Sequence, residues 1–211
     1  MGAQERPARP ENGRRDLMDI AIDCFARFGY QATSIDRIAK AAGLTKGAIY
    51  YHFKDKEELL FEAVKSRVSQ FERRVISDIG SIQDAVVALK RVAEVCLEHA
   101  TKSNHRRLIV TLMVEALDNN ARLSAQFREM MRRFRAFLRG IIEVGQRQGV
   151  FRADISAITA AGVYAGAVMG AEIEYYQDPD DVDLGEHLGT FLDQYLAWLA
   201  APARRAGGKQ R

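Results

Sequence analysis

Residues 33–56 read TSIDRIAKAAGLTKGAIYYHFKDK, and their spacing predicts two short helices joined by a tight turn, with a third helix beginning at the end. Thr33 followed three residues later by Asp36 fits a capping box at the first helix start. Ile35, Ile38, Ala39 and Ala42 recur at helical spacing, so one face is apolar while Arg37 and Lys40 fall on the other. Gly43 ends the helix, because glycine takes positive φ without a Cβ clash, and Leu44 is expected to turn back into the core. Thr45 fits the N-cap of the second helix, which runs to Phe53. Its first turn holds Lys46, Gly47 and Ala48 and no acid, so its positively polarised amides suit an anion such as a phosphate backbone. Ile49 and Phe53, four apart, belong inside; Tyr50, Tyr51 and His52 then face outward. Asp55 with Glu58 forms a second capping box and sets Lys54 and Lys56 around the third helix start. The arrangement is a helix-turn-helix.

These residues, GLTKGAIYYHFKDKEELL above all, resemble the DNA-binding domain of the TetR family of bacterial transcriptional regulators, closely over about the first sixty residues and in architecture beyond. The resemblance implies that the helix from Thr45 to Phe53 enters the major groove, with Lys46, Gly47 and Ala48 near base edges. It implies phosphate contacts from Thr33, Tyr50, Tyr51, His52 and Lys56, and Lys54 stands beside them. The plainer reading of the two tyrosines is packing against neighbouring helices.

A chain of 211 residues with 47% apolar content can bury one moderate core or two small ones. The net charge of +3 does not argue for nucleic acid. Residues 1–60 carry ten Lys or Arg against nine Asp or Glu, so the nucleic-acid reading rests on where charges sit. Cys24 and Cys96 are read as two reduced thiols. Met1-Gly2 is followed by Arg6 where a myristoylation signal needs a hydroxyl. The most membrane-like run, Ile155 to Ala171, is shorter than a span and rich in Ala and Gly. A cytoplasmic protein without membrane partner or cofactor is expected.

In chain order, residues 1–12 are read as a disordered arm. The first helix is predicted from about Arg14 to Phe28, with Leu17, Ile20, Ala21, Cys24, Phe25 and Phe28 as its apolar stripe. The helix-turn-helix domain is assigned to 13–60. The helix capped by Asp55 continues to Gly80, about 36 Å, and joins that domain to a helical effector-binding and dimerisation region, 61–201. Ser81 and Asp84 are read as capping the next helix, to about Thr101. Cys96, His99 and His105 lie close in sequence, but the set lacks a fourth ligand and no metal site is assigned. Further helices are predicted from Asn104 to Leu117, from Ala121 to Gln148, and from about Ile155 to Tyr176. Arg128, Arg132, Arg135 and Arg139 form a stripe on the second of these, read as a solvated face with pairs such as Arg139 and Glu143, or as an attraction for an anionic ligand. Gly162, Gly166 and Gly170 repeat every four residues, a face that lets a second helix approach closely within the chain or across a dimer. Asp183 with Glu186 caps a last helix, apolar on more than one side, whose Leu188, Phe191 and Tyr195 are expected at a dimer interface with the glycines. The tail 202–211 is read as disordered. No segment alternates with period two, so the fold class is all-α.

The functional expectation is a ligand-responsive transcriptional regulator, a repressor, that binds a palindromic double-stranded DNA operator as a homodimer and is released by a small effector. Repression and effector control come from the resemblance. The effector is expected to be lipophilic, with the arginine stripe slightly favouring an anionic one, in a pocket lined by Phe71, Cys96, Met113, Glu115, Phe127, Met131, Phe134 and Tyr164. An activator, or a DNA-binding protein without an effector, remains open. An enzyme is not expected: there is no HExxH, no phosphate-cradling glycine loop and no Ser-His-Asp set, and the four histidines are scattered.

Overall fold

A computed structural model describes residues 10–202, so the ARRAGGKQR tail and residues 1–9 of the arm lie outside it. Nine helices follow one another among the described residues: α1 (Pro10–Phe28), α2 (Ile35–Ala42), α3 (Lys46–His52), α4 (Lys56–Ile79), α5 (Ala85–Lys102), α6 (Asn104–Asn119), α7 (Ala121–Arg147), α8 (Ala157–Gln177) and α9 (Leu184–Leu199). The all-α expectation stands, with one isolated antiparallel bridge between Phe151 and Ala200. α1 starts earlier than the arm assignment allowed, at Pro10.

Two compact units are formed. One contains the chain up to Arg73 together with Lys102–Gln126; the other contains Arg74–Thr101 together with the chain from Phe127 onward. In the first, Leu17, Ile22 and Phe25 of α1, Ile38 of α2, Ile49 of α3 and Leu60 of α4 are fully buried. α6 packs on α1, and Arg106 of α6, itself buried, lies with its guanidinium 5.9 Å from the Phe71 ring. Asn120 closes α6 and opens α7, its amide oxygen accepting from the Leu123 amide at 2.9 Å while its nitrogen donates to Glu57.

In the second unit the tail of α4 is tied to α5 by charge: Arg74 meets Glu98 at 2.5 Å and Arg91 meets Asp78 at 3.3 Å. Asp84 alone caps α5, accepting from the Val86 and Val87 amides. Ser81 is too far upstream of Ala85 to act as the cap the sequence suggested. The core holds Leu89, Leu138, Ile142 and Tyr164, and the Tyr164 hydroxyl donates to the Leu89 carbonyl at 2.8 Å. α9 lies along α8, where Tyr195 donates to the Ala160 carbonyl at 2.8 Å and its ring meets Tyr164 edge-on. α7 ends at a positive-φ glycine, Gly149. The chain then folds the Phe151 ring over Gly145, where a Cβ would overlap it.

Candidate nucleic-acid interface

α2 and α3 are set by their caps. Gly43 has φ 65°, and the amides of Gly43 and Leu44 close the turn onto the Lys40 and Ala39 carbonyls. That closure turns Leu44 outward, 44% exposed, and not into the core as its apolarity predicted. Thr45 accepts from the Ala48 amide at 3.2 Å and so begins α3. Ile49 and Phe53 are buried beneath. The opposite faces of α3 are open: Lys46 and Gly47 are exposed, Tyr50 and Tyr51 are 48% and 84% exposed, and His52 is half-buried with its ring 5.0 Å from that of Tyr51. Ala48 is half-buried. At the start of α4, Asp55 accepts from the Glu58 amide, and Glu58 reaches back to the amide of Lys54.

Two predicted contact residues are placed differently. Ser34, not Thr33, caps α2, accepting from the Arg37 amide. Thr33 is 1% exposed and its hydroxyl donates to the Gly29 carbonyl at 2.7 Å and to that of Cys24 at 3.2 Å. It staples the end of α1 to the start of α2 and presents no hydroxyl to a phosphate. The Lys56 ammonium donates to the Tyr30 carbonyl and lies over its ring, so this lysine is held within the unit.

Two features of this surface escaped the sequence reading. Asp36 of α2 accepts a hydrogen bond from the Lys46 ammonium of α3 at 3.0 Å, and the bond raises the lysine pKa. Arg37 stacks on Phe28, 4.3 Å from the ring centre. Both join residues of different helices, which periodicity within one helix does not reveal. Cys24, in the α1 stripe, is kept a thiol by burial, which raises its pKa.

The predicted pocket residues are divided. Phe71, Met113 and Glu115 belong to the first unit, and Cys96, Phe127, Met131, Phe134 and Tyr164 to the second. Glu115 is exposed on α6, so it does not lean inward. Tyr164 is fully buried, and its hydroxyl is already bonded to Leu89. Met113, Met131 and Phe134 are half-buried. A separate cleft of about 780 Å³ in the first unit, bounded by Asp23, Arg27, Lys102, His105, Arg107 and Leu108, contains none of the predicted pocket residues. Of the arginine stripe, Arg139 pairs with Glu143 as its spacing predicted.

The predicted dimer residues also separate. Leu188 and Tyr195 are buried in the chain's own core, because α9 turns this stripe onto α8, and Phe191 is half-buried against Tyr164. Gly166 and Gly170 are exposed and Gly162 half-buried. A Cβ at any of the three would meet nothing within 4 Å. With Ile158 and Val163, 62% and 48% exposed, they leave an apolar face of α8 open. Among the described residues no group of three His, Cys, Asp or Glu is placed to hold a metal ion, and no helix is long and apolar enough to cross a membrane.

Residues 17–63 match the bacterial regulatory proteins of the tetR family, and residues 86–167 match the tetracyclin repressor-like C-terminal domain. The HTH-type transcriptional repressor KstR2 of Rhodococcus jostii is 28% identical over 91% of this chain and 94% of its own. A transcriptional regulator FadR from Bacillus subtilis, solved in complex with stearoyl-CoA, superposes with a TM-score of 0.75 at 23% identity, over 87% of this chain and 97% of that one. A transcriptional regulator from Saccharomonospora viridis, solved in complex with choline, superposes with a TM-score of 0.79 at 24% identity, over 90% and 97%. With a helix-turn-helix at its N-terminal end and a helical C-terminal region, both matched by models of one family, the chain belongs to the TetR family of DNA-binding transcriptional regulators and is not an enzyme.

Proposed function

We propose that this regulator is a cytoplasmic repressor that binds a palindromic operator as a homodimer and is released by a lipophilic, anionic small molecule. The observation that carries the DNA half is the open face of α3, where Lys46, Gly47, Tyr50 and Tyr51 project above the buried Ile49 and Phe53. A helix held from below by two apolar anchors, with small residues in its first turn, fits a major groove. Residues 13–60 serve as the DNA-binding domain and 61–201 as the effector-binding and dimerisation region. Lys46, Gly47 and Ala48 approach base edges; Thr45, Tyr50, Tyr51, His52 and Lys54 position the helix on the backbone.

Two subunits are supported by the open apolar face of α8, since Ile158 and Val163 are exposed and a Cβ at any of the three glycines would meet nothing within 4 Å. A symmetric pair of helix-turn-helix units then requires a symmetric DNA site. The effector class is supported by the half-buried Met131 and Phe134 beside the arginines of α7, and by the stearoyl-CoA held by the Bacillus subtilis neighbour. The choline held by the other neighbour marks the competing class, a small cation. The test is fluorescence anisotropy of the full chain on DNA from its own promoter, with acyl-coenzyme A thioesters, fatty acids, choline and lipophilic cations added in turn. Release by the thioesters or fatty acids supports the reading; release by choline alone replaces the effector class, and binding that no compound alters leaves a regulator without small-molecule control.

A further inference from the structure

Lys46 opens α3, the helix proposed to read DNA, yet its ammonium is bonded at 3.0 Å to a carboxylate on another helix, Asp36. Both side chains are largely exposed, 51% for the lysine and 68% for the aspartate. An exposed ion pair contributes only about 0–1 kcal/mol to a fold. Stability therefore gives little reason to place a carboxylate beside the leading cation of a DNA-facing helix, where it repels phosphates. The carboxylate does favour the positive start of α2, but that role does not require Lys46.

We propose that Asp36 is a specificity-determining residue, which holds Lys46 for base reading and suppresses its attraction for DNA of any sequence. The reasoning rests on the DNA-binding reading of α3 and on the donor count of an ammonium. Lysine has three N–H donors. Asp36 takes one, fixing the direction of the others and reducing the side chain's freedom to swing toward the nearest phosphate. A pair with no net charge releases few counterions, so Lys46 adds little to the sequence-independent term that dominates non-specific binding. At the right sequence the two remaining donors meet base-edge acceptors such as guanine O6 and N7, which are what a lysine reads in the major groove. Two other cations of this surface are restrained differently: Arg37 on the Phe28 ring and Lys56 on Tyr30. Asp36 is thus the acidic partner whose loss frees a cation at the leading end of α3.

The experiment uses the full chain and two probes, a duplex obtained by in-vitro selection with the wild-type protein and a random duplex of equal length. Affinity is measured against salt for wild type, Asp36→Asn, Lys46→Ala and the double variant, with Asp36→Glu as the variant that keeps the charge. Asp36→Asn is expected to tighten binding to the random duplex about five-fold, with a salt slope steeper by about one, while the selected duplex gains less, so that discrimination falls. In the double variant the effect of Asp36→Asn on discrimination is expected to vanish, and Asp36→Glu is expected to behave closer to wild type. Equal changes on both duplexes, or an Asp36→Asn effect that survives loss of Lys46, would overturn the proposal and leave Asp36 as a helix-start residue. A wild-type protein that yields no selected duplex overturns the DNA reading of α3 itself, a result distinct from equal changes by the variants. Circular dichroism of each variant separates these outcomes from loss of fold, with Asp36→Glu as the folded control.

Discussion

The Lys56 ammonium donates to the Tyr30 carbonyl at 3.0 Å and lies 4.3 Å from the centre of the Tyr30 ring. This lysine at the start of α4 is fastened to the connection between α1 and α2. Lys56→Ala is expected to lower stability by about 1–2 kcal/mol through the lost charged hydrogen bond and ring contact, read as a shift in the urea midpoint. Its salt slope on DNA should stay near that of wild type. Lys54→Ala is the contrast: the backbone amide of Lys54, and not its ammonium, is bonded to Glu58, so stability should hold while the slope flattens by about one.

Thr33 provides a second separation of fold from recognition. Thr33→Val keeps the shape but removes the hydroxyl donor from the Gly29 carbonyl, and its second contact with that of Cys24, a cost of about 1–3 kcal/mol. Thermal unfolding should register that loss. DNA affinity of the fraction that remains folded should be unchanged, because the hydroxyl faces inward; a selective loss of affinity in a fully stable variant would return Thr33 to the contact set.

Tyr164 and Tyr195 predict a pH dependence. Burial raises both phenol pKa values above the ordinary value, so the native state keeps these protons in alkali where the unfolded chain has released them. The unfolded state then binds fewer protons than the native state, and stability falls as pH rises above about 10. Their contribution is fully present below that point. Chemical denaturation at a series of pH values should show the decline, and Tyr164→Phe should reduce its slope while costing about 0.5–1.5 kcal/mol at neutral pH for the lost hydrogen bond to the Leu89 carbonyl.

Gly166→Leu tests the pairing of subunits. A Cβ at this position meets nothing within 4 Å, so helix content and the monomer fold should survive. Sedimentation at low micromolar concentration should show dissociation, and DNA affinity should fall with it, since a leucine holds apart any helix seated on that face. A variant that remains a DNA-binding dimer places the interface elsewhere.

The elements were legible because their signals are local. Gly43, Thr45 and the Asp55–Glu58 pair each act within four residues, and the structure uses all of them as caps. Thr33 and Ser34 show where local signals run out: both are hydroxyl residues three positions before a plausible partner, and only the end of α1, which needs a donor at Gly29, decides between them. Leu188 and Tyr195 were expected outside because α9 is apolar on several sides, but periodicity does not say which side the chain itself covers. Glu115 was placed inward on the same weakness. The Asp36–Lys46 bond spans ten residues and two helices, beyond any single-helix pattern.

The bridge between Phe151 and Ala200, with Arg152 donating to Leu199 and Ala201 to Val150, also sets an order of events during synthesis. A ribosome delivers α7, the Phe151 turn and α8 before the residues that clasp that turn have been made. The turn must therefore wait, unclasped, for about fifty further residues to be translated, at rates of roughly 5–20 residues per second. A message truncated just short of codon 200 would release a chain with every helix of the described residues but without the Ala201 amide, and so with only one of the two bonds of that clasp.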